Sequence, residues 1–161
     1  MGITSLKQFD IVNRIKDACT DGSVTARQGS LFALECLADR LGLLFEPYII
    51  ATVPALLKSF SHPSDQVREA AQDAAKVIMS KLSAHGVKQM LTPVLNSLPT
   101  ETQWKSRQEA IRLLGMMANC APKQLSACLP AIIPRLVEAG SDPHPKVNHI
   151  SHKTYSASLQ P

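Results

Sequence analysis

Residues 61–82, SHPSDQVREAAQDAAKVIMSKL, carry the pattern that decides the fold. Apolar side chains recur there at alternating steps of three and one, at Val67, Ala70, Ala71, Ala74, Ala75, Ile78, Met79 and Leu82. This spacing places them on one face of an α-helix, because 3.6 residues complete a helical turn. Four of them are alanines, so a neighbouring helix can approach this face closely. The stretch therefore predicts a core-facing helix packed against another helix.

Certain prolines and polar residues recur in this chain about every forty positions. Three prolines each stand fourteen residues before a polar residue, in the pairs Pro54 and Arg68, Pro93 and Arg107, and Pro134 and Asn148. Arg27 precedes Arg68 by 41 residues, so the pattern extends toward the N-terminus. A period of this length is typical of stacked two-helix repeats. We predict an all-α, right-handed α-solenoid of about four HEAT repeats, an armadillo-like superhelix.

The repeat period divides the chain into predicted units. We place repeats at about 3–42, 46–82, 84–120 and 122–148, which together form one array over residues 1–148. Residues 149–161 are mostly Ser, His, Thr, Gln and Lys, and no acidic residue follows Asp142. This segment is predicted to be a divergent polar tail, either an end cap or an incomplete last helix.

Composition favours a soluble helical domain that binds partners. Of the 161 residues 45% are hydrophobic and only 4% aromatic, which suits closely packed helices better than a β-sandwich. The net charge of +4 comes from dispersed residues, so a nucleic-acid partner is allowed but not indicated. The four cysteines form no CxxC pair, and no apolar segment marks a signal peptide or a membrane span. We expect a cytoplasmic protein with no membrane partner.

A column of mostly acidic residues precedes the second helix of each predicted repeat. Its members are Asp21, Glu101 and Asp142, with His62 at the second position. A carboxylate favours a helix N-terminus, and Arg27, Arg68 and Arg107 each follow six residues later. We interpret these residues as a structural ladder of acid and Arg across repeats. The competing interpretation is a ligand surface.

Trp104, the only tryptophan, lies at a predicted turn with Lys105 and Arg107 beside it. An exposed aromatic ring with two cations can bind protein or RNA. The alternative is a ring packed under the turn between repeats. Because binding residues on rigid scaffolds concentrate in loops, these three are the candidate partner-binding residues.

Catalytic and metal-binding motifs are missing from the sequence. There is no Gly-rich phosphate loop, no GxSxG and no HExxH. His144, His149 and His152 are close in sequence but no Cys or carboxylate accompanies them, so a solvated polar tail is favoured over a metal site. We predict no enzymatic activity, no cofactor, no metal and no small-molecule substrate.

Four segments resemble one known family. Residues 44–48 (LFEPY), 66–71 (QVREAA), 82–88 (LSAHGVK) and 120–126 (CAPKQLS) are similar, in the same order, to the central region of the large HEAT-repeat translational activators of the general amino-acid control pathway. That region is itself similar to the HEAT domain of fungal translation elongation factor three. The resemblance covers roughly residues 20–148, and the sequence after Asn148 departs from it, as in a truncated or altered copy.

The resemblance implies a scaffold in translational control. In that family the HEAT array contacts translating ribosomes and an ATP-binding-cassette (ABC) ATPase, and a more C-terminal region engages the stress kinase of initiation factor two alpha. A ribosome or an ABC-family ATPase is thus the expected partner, with RNA only as part of the ribosome. One rival is a cytoskeletal or transport adaptor that binds tubulin or cargo, since the same repeats serve those roles. Another is direct RNA binding through Trp104, Lys105 and Arg107.

Overall fold

The computed structural model describes residues 10–99, 103–120 and 122–158, and these are helical with no strand. Their helices are α1 (Ile11–Asp21), α2 (Val24–Leu41), a 3-10 helix (Gly42–Phe45), α3 (Glu46–Phe60), α4 (Asp65–Lys81), α5 (Ala84–Leu95), α6 (Trp104–Cys120), α7 (Pro122–Ser126), α8 (Leu129–Gly140) and α9 (Pro145–Ser158).

The helices form hairpins that stack in chain order. The first helices α1, α3 and α5 contact one another in sequence and make one layer, which the short helix α7 continues against α5. The second helices α2, α4, α6 and α9 contact one another in the same order and make the other layer. The predicted all-α solenoid of four repeats is confirmed.

Helix α4 shows why the hairpins stack. Val67, Ala71, Ala74, Ala75, Ile78 and Met79 are buried, as the stripe predicts. Helix α4 packs against α3 of its own hairpin and against α2 and α6 of the neighbouring ones. Because α4 is covered on three sides, its side chains lose water only when the adjacent repeats are present.

The recurring prolines lie inside the first helices. Pro54 is within α3, Pro93 within α5 and Pro134 within α8, and each helix continues beyond its proline. A proline removes one backbone hydrogen bond and crowds the preceding turn. The packed layers therefore hold each of these helices together across its proline.

Helix α9 extends past residue 148, after which we placed the predicted polar tail. It continues to Ser158, and Ser151 and Thr154 are buried in it. The Ser151 hydroxyl donates to the Val147 carbonyl at 2.9 Å, so it is satisfied without water. Short hydroxyl side chains thus replace alanines on the face that contacts α6 and α8. The remaining tail residues, 159–161, lie outside the described residues.

One stretch of the chain is long and apolar enough to be considered as a membrane-spanning helix. Residues Val24–Phe60 pass a length and hydropathy test for crossing a membrane. In the array this run is broken at Gly42, which has a φ of 52°. Part of its apolar surface is buried in the protein core, through residues such as Leu34, Ile49, Val53, Leu56 and Phe60. Other apolar side chains of the run are exposed, namely Val24, Phe32, Leu43 and Leu44, so burial accounts for only part of its hydropathy.

The stacking of α4 gives the first testable prediction. Ala74→Glu places a carboxylate in a position with no exposed surface, so we expect the free energy of unfolding to fall by about 3 kcal/mol or more. Ala51→Glu introduces the same side chain at an exposed position of α3 and should change it by less than about 0.5 kcal/mol. Urea denaturation followed by circular dichroism measures both, and equal effects would contradict the assigned faces.

Candidate partner-binding edge

The turns between first and second helices lie along one edge of the array. Trp104 and Lys105 begin α6, while His144 and Lys146 lie at the start of α9 in the next repeat. Contacts between their side chains bring the two turns together. We call this cluster of four residues the turn edge.

The Trp104 ring packs face to face on the His144 ring. Their centroids are 4.1 Å apart and their planes differ by 8°. The Lys105 ammonium lies 5.7 Å from the centroid of the Trp104 ring, and the Lys146 ammonium lies 5.4 Å from it. Both distances are in the range of cation–π attraction. The half-buried ring thus packs between repeats, the alternative we had set against free exposure, while two exposed lysines remain beside it.

Arg107 lies beneath this edge in a buried ion pair with Asp142. Its Nε is 2.7 Å from Asp142 Oδ2, and its Nη2 donates to Oδ1 at 3.1 Å. The two side chains are only 7% and 1% exposed. Asp142 Oδ1 also accepts the His144 backbone N–H at 2.8 Å. The pair therefore links repeats three and four, and Arg107 must be removed from the candidate partner-binding residues because a partner cannot reach it.

The electrostatics of Asp142 follow from this geometry. Burial by itself raises the pKa of the carboxyl group, but the hydrogen bonds from Arg107 and the His144 backbone, with the Arg107 charge, lower it below its ordinary value. The ionised carboxylate is the form that the fold prefers. Asp142 therefore adds stability above its unfolded pKa of about 3.9, and this stability is lost as the pH falls below that value.

The other polar residues at the equivalent position bond within their own repeats. Arg27 donates to the carbonyls of Cys19, Thr20 and Gly22. Arg68 donates to those of His62 and Pro63 and pairs with Asp65. Asn148 donates to the Gly140 carbonyl.

These contacts satisfy carbonyls that have no donor of their own at the end of each first helix. Because guanidinium carries five N–H donors, one Arg can bond several of these carbonyls. Among the described residues of the predicted ladder, an acid–Arg pair between repeats occurs at Arg107 and Asp142. Asp21 is exposed at the end of α1, and Glu101 lies outside the described residues.

Sequence reasoning missed one buried charge, Glu109 on α6. The residue is 5% exposed, and among the described residues no hydrogen-bond donor reaches its Oε2. The Arg112 guanidinium lies 3.9 Å away. Burial raises the pKa of Glu109, and the charges of Arg112 and Arg68 only partly oppose this. Its position four residues before Leu113, an apolar residue that is buried on the same helix, was the signal available in the sequence.

Comparisons with known proteins agree with this architecture. The family model of the EF3 N-terminal HEAT repeat matches residues 1–155. A Homo sapiens protein named stalled ribosome sensor GCN1 is 49% identical over 148 residues, and a Dictyostelium discoideum protein named eIF-2-alpha kinase activator GCN1 is 45% identical over 157 residues. These alignments cover 91% and 97% of this chain, but the chain spans only 6% of the length of either relative.

A solved structure provides a comparison of fold alone. The crystal structure of an engineered protein superposes with a TM-score of 0.50 and 18% sequence identity. The superposition covers 91% of this chain and 62% of the engineered one. At this identity the likeness extends to the helical architecture and not to function.

The Arg107–Asp142 pair gives a second prediction. Asp142→Asn removes the carboxylate that pairs with the buried guanidinium, so we expect the free energy of unfolding to fall by about 3 kcal/mol at pH 7. The loss should shrink as the pH falls below about 4, because the unfolded chain then takes up a proton at Asp142 and the folded protein does so only at lower pH. Denaturant unfolding from pH 7 to pH 3 measures it. Asp73→Asn, at an exposed pair, is the control, and a loss independent of pH would contradict the assignment.

Glu109 gives a third prediction, of opposite sign. Glu109→Gln removes a buried negative charge, so we expect it to raise the free energy of unfolding by about 1 kcal/mol at pH 7. Because the folded pKa lies above the unfolded one, the penalty of the wild-type residue develops as the pH rises through about 4.3. The gain should therefore vanish near pH 4 in thermal melts. Glu69→Gln, at an exposed site on α4, should have no such effect, and a destabilised Glu109→Gln protein would refute this explanation.

Proposed function

This chain belongs to the EF3 N-terminal HEAT repeat family, and on that basis we propose that it is a non-catalytic HEAT-repeat scaffold in translational control. The observation that carries the proposal is the 49% identity over 148 residues to the human protein named stalled ribosome sensor GCN1. The Dictyostelium relative, named an eIF-2-alpha kinase activator, supports the same pathway. A protein of this kind acts in the cytoplasm, where translation takes place.

We infer that the ribosome, or a protein bound to it, is the partner. The turn edge is the surface that we assign to this contact, because Lys105 and Lys146 are exposed beside a ring that two repeats hold in place. Loops fixed by a rigid scaffold are the usual location of binding residues. Trp104 supports this surface by fixing the turn, and Lys105 with Lys146 supplies its charge. Asp21, an acidic residue at the end of α1, is not one of the four residues of this surface.

An ABC-family ATPase is the more specific partner that we propose. Its support is the resemblance of four sequence segments to a family that contacts such an ATPase. RNA enters only as part of the ribosome, and neither a membrane nor a small-molecule substrate is part of the proposed function. The direct-RNA alternative loses strength because Arg107 is buried. The adaptor alternative is not favoured, since the relatives carry translation names.

Sedimentation of the tagged chain in a sucrose gradient of cell extract tests the proposal. We expect the wild-type protein to sediment with ribosomes or with a ribosome-bound partner. The double variant Lys105→Glu/Lys146→Glu should reduce that fraction several-fold, because it replaces two exposed cations with anions. Lys88→Glu makes the same charge change at an exposed site on α5 and should leave the profile unchanged.

Two results would count against the proposed function. One is a wild-type chain that stays entirely at the top of the gradient. The other is a chain that co-pellets with tubulin and leaves the ribosomal fractions empty, which would support the adaptor alternative instead.

A further inference from the structure

A groove runs between the second helices α6 and α9, on the side away from the first-helix layer. Its volume is about 470 Å³. Helix α6 contributes Gln108, Arg112, Gly115, Met116 and Asn119, and helix α9 contributes Lys146, His149, Ile150, Lys153 and Thr154. Apart from Lys146 at one end, none of these residues belongs to the turn edge.

The groove is positively charged and has an apolar floor. Arg112, Lys146 and Lys153 are its ionic side chains, all three are exposed, and none of the described residues that line it is acidic. Arg112 lies near the buried Glu109 carboxylate, so the two lysines supply most of the free charge. Half-buried Met116 and Ile150 lie between the cations.

The charge changes sign along the second-helix layer. Asp73 on α4 stands 39 residues before Arg112, one repeat interval, and Glu69 stands in the same way before Gln108. Both acidic residues are exposed. Asp73 pairs with Lys76 on the same helix. An anionic ligand is therefore attracted to the α6–α9 groove and is repelled on α4 mainly by Glu69.

The dimensions of the groove indicate a short ligand. Lys146 and Lys153 lie seven residues apart on α9, which corresponds to about 10 Å along the helix axis. An extended peptide spans that distance with about three residues. Two carboxylates separated by two or three positions can thus approach both ammonium groups while an apolar side chain between them contacts Met116 and Ile150.

These features favour a peptide over RNA. Proteins that bind single strands combine a continuous basic track with aromatic rings that stack on bases. Phe, Tyr and Trp are absent from the groove lining within the part of the chain that the structure describes, and the basic track stops at Glu69 and Asp73. An apolar floor bordered by separated cations instead complements a segment that carries both carboxylates and an apolar side chain.

We propose that the α6–α9 groove binds a short acidic peptide segment of a protein partner, with carboxylates on Lys146 and Lys153 and an apolar residue on the floor. The proposal concerns a surface that shares Lys146 with the turn edge and otherwise consists of different residues. It stands whether or not the chain sediments with ribosomes.

The test is selection from a random twelve-residue peptide display library on the full chain, run in parallel on the variant His149→Glu/Lys153→Glu. Both side chains are exposed, and circular dichroism confirms that the variant is folded. We expect the wild-type protein to enrich peptides in which Asp or Glu flanks an apolar residue, and the variant to lose this enrichment. Fluorescence anisotropy with one enriched peptide should then show binding about threefold to tenfold weaker for Lys153→Glu alone. Lys88→Glu, on α5, should bind as the wild type does.

Several outcomes would overturn the proposal. Enrichment without acidic residues, or equal binding to wild-type protein and Lys153→Glu, would show that the groove does not recognise carboxylates. A single-stranded RNA twelve-mer that binds in the groove more tightly than the best peptide would assign it to phosphate instead. Replacing the apolar residue of the enriched peptide with Ser should weaken binding, and an unchanged affinity would remove the role of Met116 and Ile150.

Discussion

Each helical hairpin of this chain covers its apolar stripe only when another hairpin packs on it. The stripe of α4 is covered by α3, α2 and α6 together. Alanines at 71, 74 and 75 hold the contact distances short, since a larger side chain would separate the helices. The linear order of the repeats, the two-layer arrangement and the position of every surface residue depend on this stacking.

Polar contacts at the turns fix the geometry of each hairpin. Arg27 and Arg68 bond to the carbonyls at the end of the first helix of their own repeats, and Asn148 does so with a shorter side chain. At Arg107 the guanidinium pairs instead with Asp142 of the next repeat. The Trp104–His144 stack lies beside that pair. Repeats three and four are thus joined by buried polar and aromatic contacts as well as by the apolar seam, which keeps Lys105 and Lys146 near each other at the surface.

The sequence was sufficient for the fold because periodicity reports burial directly. The stripe of α4 reports which face of that helix is buried, and the forty-residue spacing of prolines reports the repeat length. The sequence was less informative for the turn edge. Nothing in the order of residues distinguishes the buried Arg107 from the more exposed Arg68, since the difference arises from Asp142 in another repeat. For residues 149–161 the sequence left both an end cap and an incomplete last helix open, because Ser151 and Thr154 look like surface residues until the helix that covers them is known.

Two surfaces of this array are open to partners, the turn edge and the α6–α9 groove, and both exist only if the hairpins are layered in order. Amide hydrogen exchange followed by mass spectrometry tests that layering most directly. The account predicts the slowest exchange in α4, which has neighbours on three sides, and faster exchange in α1 and α9 at the two ends of the described array. Exchange in α4 as fast as in the terminal helices would contradict the stacked arrangement.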